Sequence, residues 1–335
     1  MKLIIPMAGK GTRLRPHSHT TPKPLLPVAG TSVVERIVQT FKRTLDADIT
    51  EIDYVLGEVS EEVKQELTEL SRRNGAKTRF FYQDEALGTA HAVYSAKEAL
   101  EGEVIIVFAD TIFDTSQKVS VEGADSVIWL KEVDDPSRFG VAVKDGEQIT
   151  DFVEKPSEPI SNLAIIGVYY FRKGEDLKKH LQYLIDNNIR GHGNEFQLTD
   201  AIDRMLKEGN VFKPATVEEW LDAGTIPAWL DTSGVIVEKE CKNTEPKGVD
   251  SKSTVHPPVY IGEGAAIYNS EIGPYTAIGA NSEVRGSKLG ACILQDNATV
   301  KECDLDRSTI GKHTDVEQAR GEIHIGDHSR LSLRR

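Results

Sequence analysis

Cysteine is scarce in this chain: Cys241, Cys292 and Cys303 are the only three in 335 residues, and no CxxC pair is present. An odd count without that spacing is read as reduced thiols in a cytoplasmic protein. Positive charge is also in deficit, with 40 Lys and Arg against 53 Asp and Glu and a net charge of -13. That balance speaks against a nucleic-acid backbone or an anionic membrane as the main partner. It leaves a phosphorylated small molecule open, because a pocket needs only a few local cations. The apolar run at the N-terminus stops at Pro6, too short for a signal peptide or a membrane span. No P-loop and no GxGxxG occur, and His17 and His19 stand too close for a helical zinc pair and are read as loop residues. What remains is a soluble globular composition, 39% hydrophobic and 28% charged, long enough for two domains.

The first two-thirds alternates strand and helix signals. Lys2–Pro6, Ile52–Leu56, Thr78–Tyr82 and Val104–Phe108 read as strands. Between them come a helix from the capping box Ser32-Val-Val-Glu35 to about Leu45, one capped by Ser60 with Val63, Leu67 and Leu70 on one face, and one over Thr89–Leu100. This order predicts an α/β fold, a Rossmann-like, mostly parallel sheet covered by helices. Ligands of such sheets bind beyond the carboxyl ends of the strands, so the residues after Pro6, Tyr82 and Phe108 are the ones to inspect. Ser126–Phe171 is strand-rich, with candidates at Gly140–Val143, Ile149–Val153 and Leu163–Phe171. Helices resume at about Glu175–Asn187, Phe196–Lys207 and Thr225–Leu230.

From about Ser233 to Thr254 the composition turns polar and charged, and it is read as a linker around a short helix end. Beyond it, Ile261-Gly262, Ile272-Gly273, Ile278-Gly279, Leu289-Gly290, Ile310-Gly311 and Ile325-Gly326 repeat an aliphatic-Gly pair near a six-residue period, with Ile267 and Val284 filling missing beats. A hexapeptide period predicts a short parallel β-helix; the rhythm is imperfect after Arg285, where coils are not countable. The expected domains are therefore 1–235, a linker 236–254, and 255–335.

Several residues have side chains suited to chemistry. Gly9 and Gly11 in the loop Ala8-Gly-Lys-Gly-Thr-Arg-Leu14 let backbone N–H groups approach a phosphate, although a GxG loop is equally a plain tight turn. Arg13 lies in that loop, and Pro22 and Pro24 stiffen the chain around Lys23, which otherwise reads as a solvated lysine. Gln83 closes a strand, and Leu87-Gly-Thr-Ala90 opens the next helix, a place for a base or an anion. Asp110 follows the strand Val104–Phe108, where a carboxylate suits Mg²⁺ against phosphate oxygens. Asp222 in Trp220-Leu-Asp-Ala-Gly-Thr225 is a second candidate, a lone aspartate being more often a cap. Glu154 and Lys155 read alone as an exposed ion pair, and Asp200 as a helix-start residue.

Met7-Ala-Gly-Lys-Gly-Thr-Arg-Leu-Arg-Pro16 followed by Pro22-Lys-Pro-Leu-Leu-Pro-Val28 resembles the signature of sugar-1-phosphate nucleotidyltransferases. That group contains glucose-1-phosphate thymidylyltransferases, mannose-1-phosphate guanylyltransferases and UDP-sugar pyrophosphorylases, and the similarity continues at intervals to Thr225. The resemblance implies that Ala8, Gly9, Gly11 and Thr12 wrap a triphosphate, Arg13 contacts the departing pyrophosphate and Lys23 contacts phosphate. It implies that Gln83, Leu87, Gly88 and Thr89 read the base. Arg138-Phe-Gly140, Glu154-Lys-Pro156 and Glu195-Phe-Gln-Leu-Thr-Asp200 match sugar-side elements. From these, Gly140, Glu154, Asn162, Gly167, Glu195 and Thr199 are expected on the sugar and Lys155 on its phosphate. Asp110 and Asp222 are expected on Mg²⁺; the family's usual Gly-Asp is Ala109-Asp110 here. A left-handed β-helix is implied for the C-terminal part.

The reaction implied is attack of a sugar 1-phosphate oxygen on the α-phosphorus of an NTP, with dTTP or UTP and glucose 1-phosphate favoured. Rival expectations are mannose-1-phosphate guanylyl transfer, a non-catalytic sugar-nucleotide-binding regulatory subunit, and acyl transfer by the β-helix, for which His313, His324 and His328 look scattered. The flat faces and open end of a β-helix predict a homo-oligomer.

Overall fold

The computed structural model describes residues 1–158, 160–243 and 247–333. They form two compact units: Met1–Gly9 with Glu35–Trp220, and Lys10–Val34 with Leu221–Arg335. The first unit is built on a nine-stranded sheet. Its centre is parallel: Lys2–Pro6 pairs with both Glu51–Leu56 and Val104–Val107, and Lys77–Tyr82 joins Glu51–Leu56 at the edge. These strands are apolar runs with almost no exposed residue at the centre, Leu3, Ile4, Ile5 and Val104–Ile106 all being fully buried. Leu163–Phe171 runs antiparallel beside Val104–Val107, and Gly140–Asp145, Gln148–Glu154 and Ser126–Glu132 extend the sheet from it. Phe212–Thr216 then pairs parallel with Ser126–Glu132.

Helices cover the sheet where the periodicity placed them. Helix α1, Val33–Thr44, crosses into this unit at Glu35. Helix α2, Glu61–Arg73, is capped by Ser60, whose Oγ accepts from Val63 N at 3.4 Å, and buries Val63, Leu67 and Leu70. Helix α3 covers only Thr89–Tyr94, not the stretch to Leu100 expected from sequence. Ser95 turns its hydroxyl back onto His91 O, and the following amides, Ala96 N and Lys97 N, bond three residues back to Val93 O and Tyr94 O. Ala96, Ala99 and Leu100 stay buried through that turn, which is why an apolar pattern continues past the helix. Helices α4, Gly174–Asp186, and α5, Leu198–Lys207, complete the unit.

In the second unit, α6 runs from Ile226 to Cys241. The polar stretch expected to be linker from Ser233 is therefore helical to Cys241, and 244–246 lie outside the described residues. Thr232 and Ser233, polar by type, are buried along with Ile236, Val237 and Cys241, so composition alone hid the helix. After it come three five-stranded parallel sheets, a five-coil β-helix. One sheet sets Ala266 opposite Glu283, Glu283 opposite Thr299, Thr299 opposite Asp315 and Asp315 opposite Arg330, so the coil shortens from 17 to 16 to 15 residues. Ile267, Ile272, Ile278, Val284, Leu289, Val300 and Ile310 stack inside. Gly279 is required because a β-carbon there would lie 2.6 Å from Asp296 N of the next coil. Asn281, Asn297, His313 and His328 take positive φ at one corner, and the rings of His313 and His328 stack 5.1 Å apart, so these histidines are a corner ladder. Among the described residues no helix is long and apolar enough to cross a membrane.

Candidate active site

Two sets of candidate residues are gathered, one within each unit. In the second unit Gly11, at φ 56, leads into a 3-10 turn at Thr12–Leu14 that buries Leu14 and leaves Arg13 exposed. Ser18 Oγ donates to Gly11 O at 2.7 Å and closes the loop. Lys23 opens a second 3-10 turn, Lys23–Leu25, between Pro22 and Pro24. A β-carbon at Gly224 would stand 2.8 Å from Asp222 Oδ1, 3.3 Å from Lys23 Nζ and 3.4 Å from Arg13 Nη2. Three charged ends from distant stretches thus surround one point that only glycine leaves open. Asp222 Oδ1 also accepts from Gly224 N at 2.7 Å. Arg13 and Lys23 bring two cationic ends to this point, the side-chain type that a phosphate pairs with. Gly224 itself escaped the sequence reading; its signal was the Gly of the Trp-x-Asp-x-Gly-Thr element.

The first unit holds Ala8 and Gly9 at the end of the first strand. A β-carbon at Gly9 would meet no protein atom within 4 Å, so nothing in the chain's own packing demands glycine there. Also in this unit, Glu154 Oε2 accepts from Thr199 Oγ1 at 2.7 Å, joining the end of Gln148–Glu154 to the first turn of α5. Gly140 faces Glu154 across the strand pair, and a β-carbon on it would sit 2.8 Å from Glu154 Oε2 and 3.2 Å from Thr199 Oγ1. Lys155 follows at φ 44, held by its N–H to Phe139 O at 3.0 Å, with Nζ 3.9 Å from Glu154 Oε1. A lysine in left-handed conformation is uncommon and marks a position the surroundings impose.

Asp110 is exposed at the carboxyl end of Val104–Val107. Gly167, at φ 80, breaks the register of Leu163–Phe171 and accepts from Phe108 N at 3.0 Å, which steers the chain into Ala109-Asp110. The buried Tyr169 hydroxyl is pushed far up by burial and then by the negative charges of Glu154 and Asp110, so both carboxylates lie in its field. Tyr169 was not singled out from sequence, since an aromatic in an apolar strand reads as core. Asp200 is held above the usual carboxylate range by burial, then by Glu154 and Asp203, and its Oδ2 is buried with no hydrogen-bond partner. Asn162 donates to Glu132 Oε1 at 2.6 Å at the exposed rim of the sheet.

The expected base-reading residues share this unit. Gln83 N donates to Leu56 O at 2.8 Å, and its side-chain Nε2 lies 3.1 Å from His91 Nδ1 on α3. Because an amide nitrogen only donates, His91 Nδ1 accepts, and Gln83 Oε1 is turned away from it. Leu87 O accepts from Phe196 N, Ala90 N donates to Phe196 O, and Thr89 Oγ1 accepts from Leu198 N at 2.9 Å. The Leu87–Thr89 and Glu195–Thr199 segments are thereby clamped together. Gly88, at φ 116, is the hinge of the clamp: a β-carbon would be 2.5 Å from Phe196 O. Among the described residues no group of three or more His, Cys, Asp or Glu side chains is placed to hold a metal. Asp110 and Asp222 nevertheless offer hard carboxylate oxygens, the donor type of a Mg²⁺ that takes most of its shell from phosphates and water.

A glycine loop after the first strand of a parallel α/β sheet, cations gathered beside a carboxylate, and a Glu–Thr pair facing a glycine define a protein that handles phosphorylated small molecules by group transfer. The nucleotidyl transferase family model matches residues 2–239, and the chain belongs to that family. Over its whole length it is similar to a glucose-1-phosphate thymidylyltransferase of Streptomyces griseus, 29% identical with 99% of each chain covered. It is also similar to the low-salt glycan biosynthesis nucleotidyltransferase Agl11 of Haloferax volcanii, 30% identical, covering 99% of this chain and 100% of that one. Among solved structures, a UDP-glucose pyrophosphorylase complexed with UDP-glucose shares the fold at a TM-score of 0.59 and 22% identity, covering 71% of this chain and 99% of that one.

Proposed function

We propose that the chain transfers a nucleotidyl group from an NTP to a sugar 1-phosphate and releases pyrophosphate. The observation that carries this reading is the gathering of Arg13, Lys23 and Asp222 around Gly224. dTTP or UTP and glucose 1-phosphate are the favoured substrates, in keeping with the name of the Streptomyces griseus relative, a glucose-1-phosphate thymidylyltransferase. The Gln83 side-chain oxygen, turned away from His91, can accept from a pyrimidine N–H. Arg13 and Lys23 take the triphosphate charge, Lys155 the sugar phosphate, and Glu154 with Thr199 the sugar hydroxyls. The reaction forms one O–P bond at the α-phosphorus and breaks the bridge to the β-phosphorus. The nucleophile is already an anion, so relief of anion repulsion and held geometry are what the protein supplies. Asp110 and Asp222 would hold Mg²⁺, which neutralises phosphate oxygens when bound.

We also place the protein in the cytoplasm, with three buried cysteines and no CxxC pair as support, and expect self-association through the β-helix. The testing experiment is pyrophosphate release over a panel of NTPs and sugar phosphates with Mg²⁺. Release should need both substrates and stop with EDTA, and GTP with mannose 1-phosphate should be poorer than dTTP or UTP with glucose 1-phosphate. Binding of a sugar nucleotide with no turnover on any pair would replace the enzyme reading with a regulatory one.

A further inference from the structure

The segment carrying Arg13 and Lys23 has only short turns and a hairpin of its own, Pro27–Val28 with Thr31–Ser32. What holds it lies almost 300 residues away. His17, midway between the two cations, is fully buried; its Nε2 meets Thr309 Oγ1 at 2.7 Å and its Nδ1 meets Gln295 Nε2 at 3.1 Å. Since the Gln295 amide nitrogen only donates, the donors run in one direction: Gln295 to His17, His17 to Thr309, Thr309 to His324 at 3.0 Å, and His324 to Glu322 at 3.1 Å. The imidazole edge also meets Trp229 at 5.2 Å, and Trp229 Nε1 donates to Pro27 O at 2.8 Å. Thr20 Oγ1 donates to Asp327 Oδ2 at 2.6 Å, and Gly326 leaves room for Pro16, whose Cβ would be 3.1 Å from a β-carbon there. The other partner of the charged cluster is fixed by the same body: Thr232 Oγ1 of α6 donates to Asp222 O, and α6 packs on the strands Val259–Ile261 and Thr276–Ile278.

We propose that the β-helix is the mount that aims the phosphate-binding cations, and that His17 is a positioning residue through which its last three coils set Arg13 and Lys23. The inference rests on the function proposed above. Chemistry on phosphate oxygens is sensitive to placement, an error near 1 Å costing about a hundredfold. The hydroxyl of Thr309 does not belong to the phosphate site; it bonds His17 and His324, so its loss reaches the reaction through the chain that holds His17.

The test is a double-mutant cycle between Thr309→Val and Arg13→Ala, read by pyrophosphate release, with Thr309→Ser as the conservative variant and thermal melting of each. Thr309→Val should lower kcat/KM for the NTP about tenfold or more and leave KM for the sugar phosphate unchanged, while Thr309→Ser stays near wild type. The double variant should lose clearly less than the product of the two single losses. Should Thr309→Val not fold at the assay temperature, His17→Phe, which needs neither polar partner, takes its place in the cycle. Multiplicative losses, or wild-type turnover in a folded Thr309→Val, would overturn the inference. Failure of the functional reading looks different: the unmutated chain then releases no pyrophosphate, or Arg13→Ala alone has no effect.

Discussion

Glycine and lysine are chosen at opposite kinds of position in this protein, and the difference is measurable. Gly88 is glycine for the fold: φ 116 is closed to other residues and a β-carbon would strike Phe196 O at 2.5 Å. Gly88→Ala is expected to cost about 2–3 kcal/mol of stability, read as a lower midpoint in thermal or denaturant unfolding. At Gly9 the fold makes no such demand, since a β-carbon there would meet no protein atom within 4 Å, and the proposed role is close approach to the triphosphate. Gly9→Ala should change stability by no more than about 0.5 kcal/mol while weakening NTP binding, measured by titration calorimetry. Lys155 bears the cost of a left-handed backbone to keep an ammonium group beside Glu154. Lys155→Ala is expected to lower turnover by roughly 10²–10³-fold with NTP binding largely intact, and Lys155→Gly should lose the same activity yet melt no lower than the alanine variant. Near-normal turnover in either would remove Lys155 from the site.

At the scale of the element, the 3-10 turn at His17–His19 behaves as a buried fitting of the second unit. Burial pushes the His17 imidazole down to about 4, against the pull of Asp327 and with His324 adding to the fall. In the unfolded chain the same ring titrates near its ordinary 6.5. Between these values the unfolded state binds the extra proton, so folding stability drops as pH falls from about 6.5 to 4, by up to about 1.4 kcal/mol per pH unit from this group. Subtracting the melting profile of His17→Phe from that of wild type isolates the effect from the carboxylates; identical pH slopes would contradict it. From sequence His17 read as an ordinary loop residue, because its partners are 278 and 292 positions away. The β-helix was legible as long as its rhythm held: Ile267, Ile272, Ile278 and Val284 fall inside as the period required. It became uncountable where coils shorten to 16 and 15 residues and where Ser282, Gln295 and Thr314, polar by type, are buried. The end of α6 was lost for the same reason, Thr232 and Ser233 being buried.

For the whole molecule, a net charge of -13 and a phosphate-handling role are compatible because the cations are concentrated rather than numerous. Arg13, Lys23 and Asp222 were each legible from short motifs, yet only folding brings them to one point, and the space that Gly224 leaves open is visible only there. The grouping of Glu154, Lys155, Gly140 and Thr199 was similarly foreshadowed by motif and realised by the pairing of Gly140 with Glu154. Self-association through the β-helix predicts a mass above 37.0 kDa by light scattering; a single-chain mass would end that expectation. The most direct measurement of the account is pyrophosphate release from dTTP or UTP and glucose 1-phosphate by the intact chain and by Arg13→Ala. The account predicts release that requires both substrates and Mg²⁺ and falls by roughly 10²–10³-fold in the variant. Equal release by both proteins, or none from the intact chain with any NTP and sugar phosphate, would contradict it.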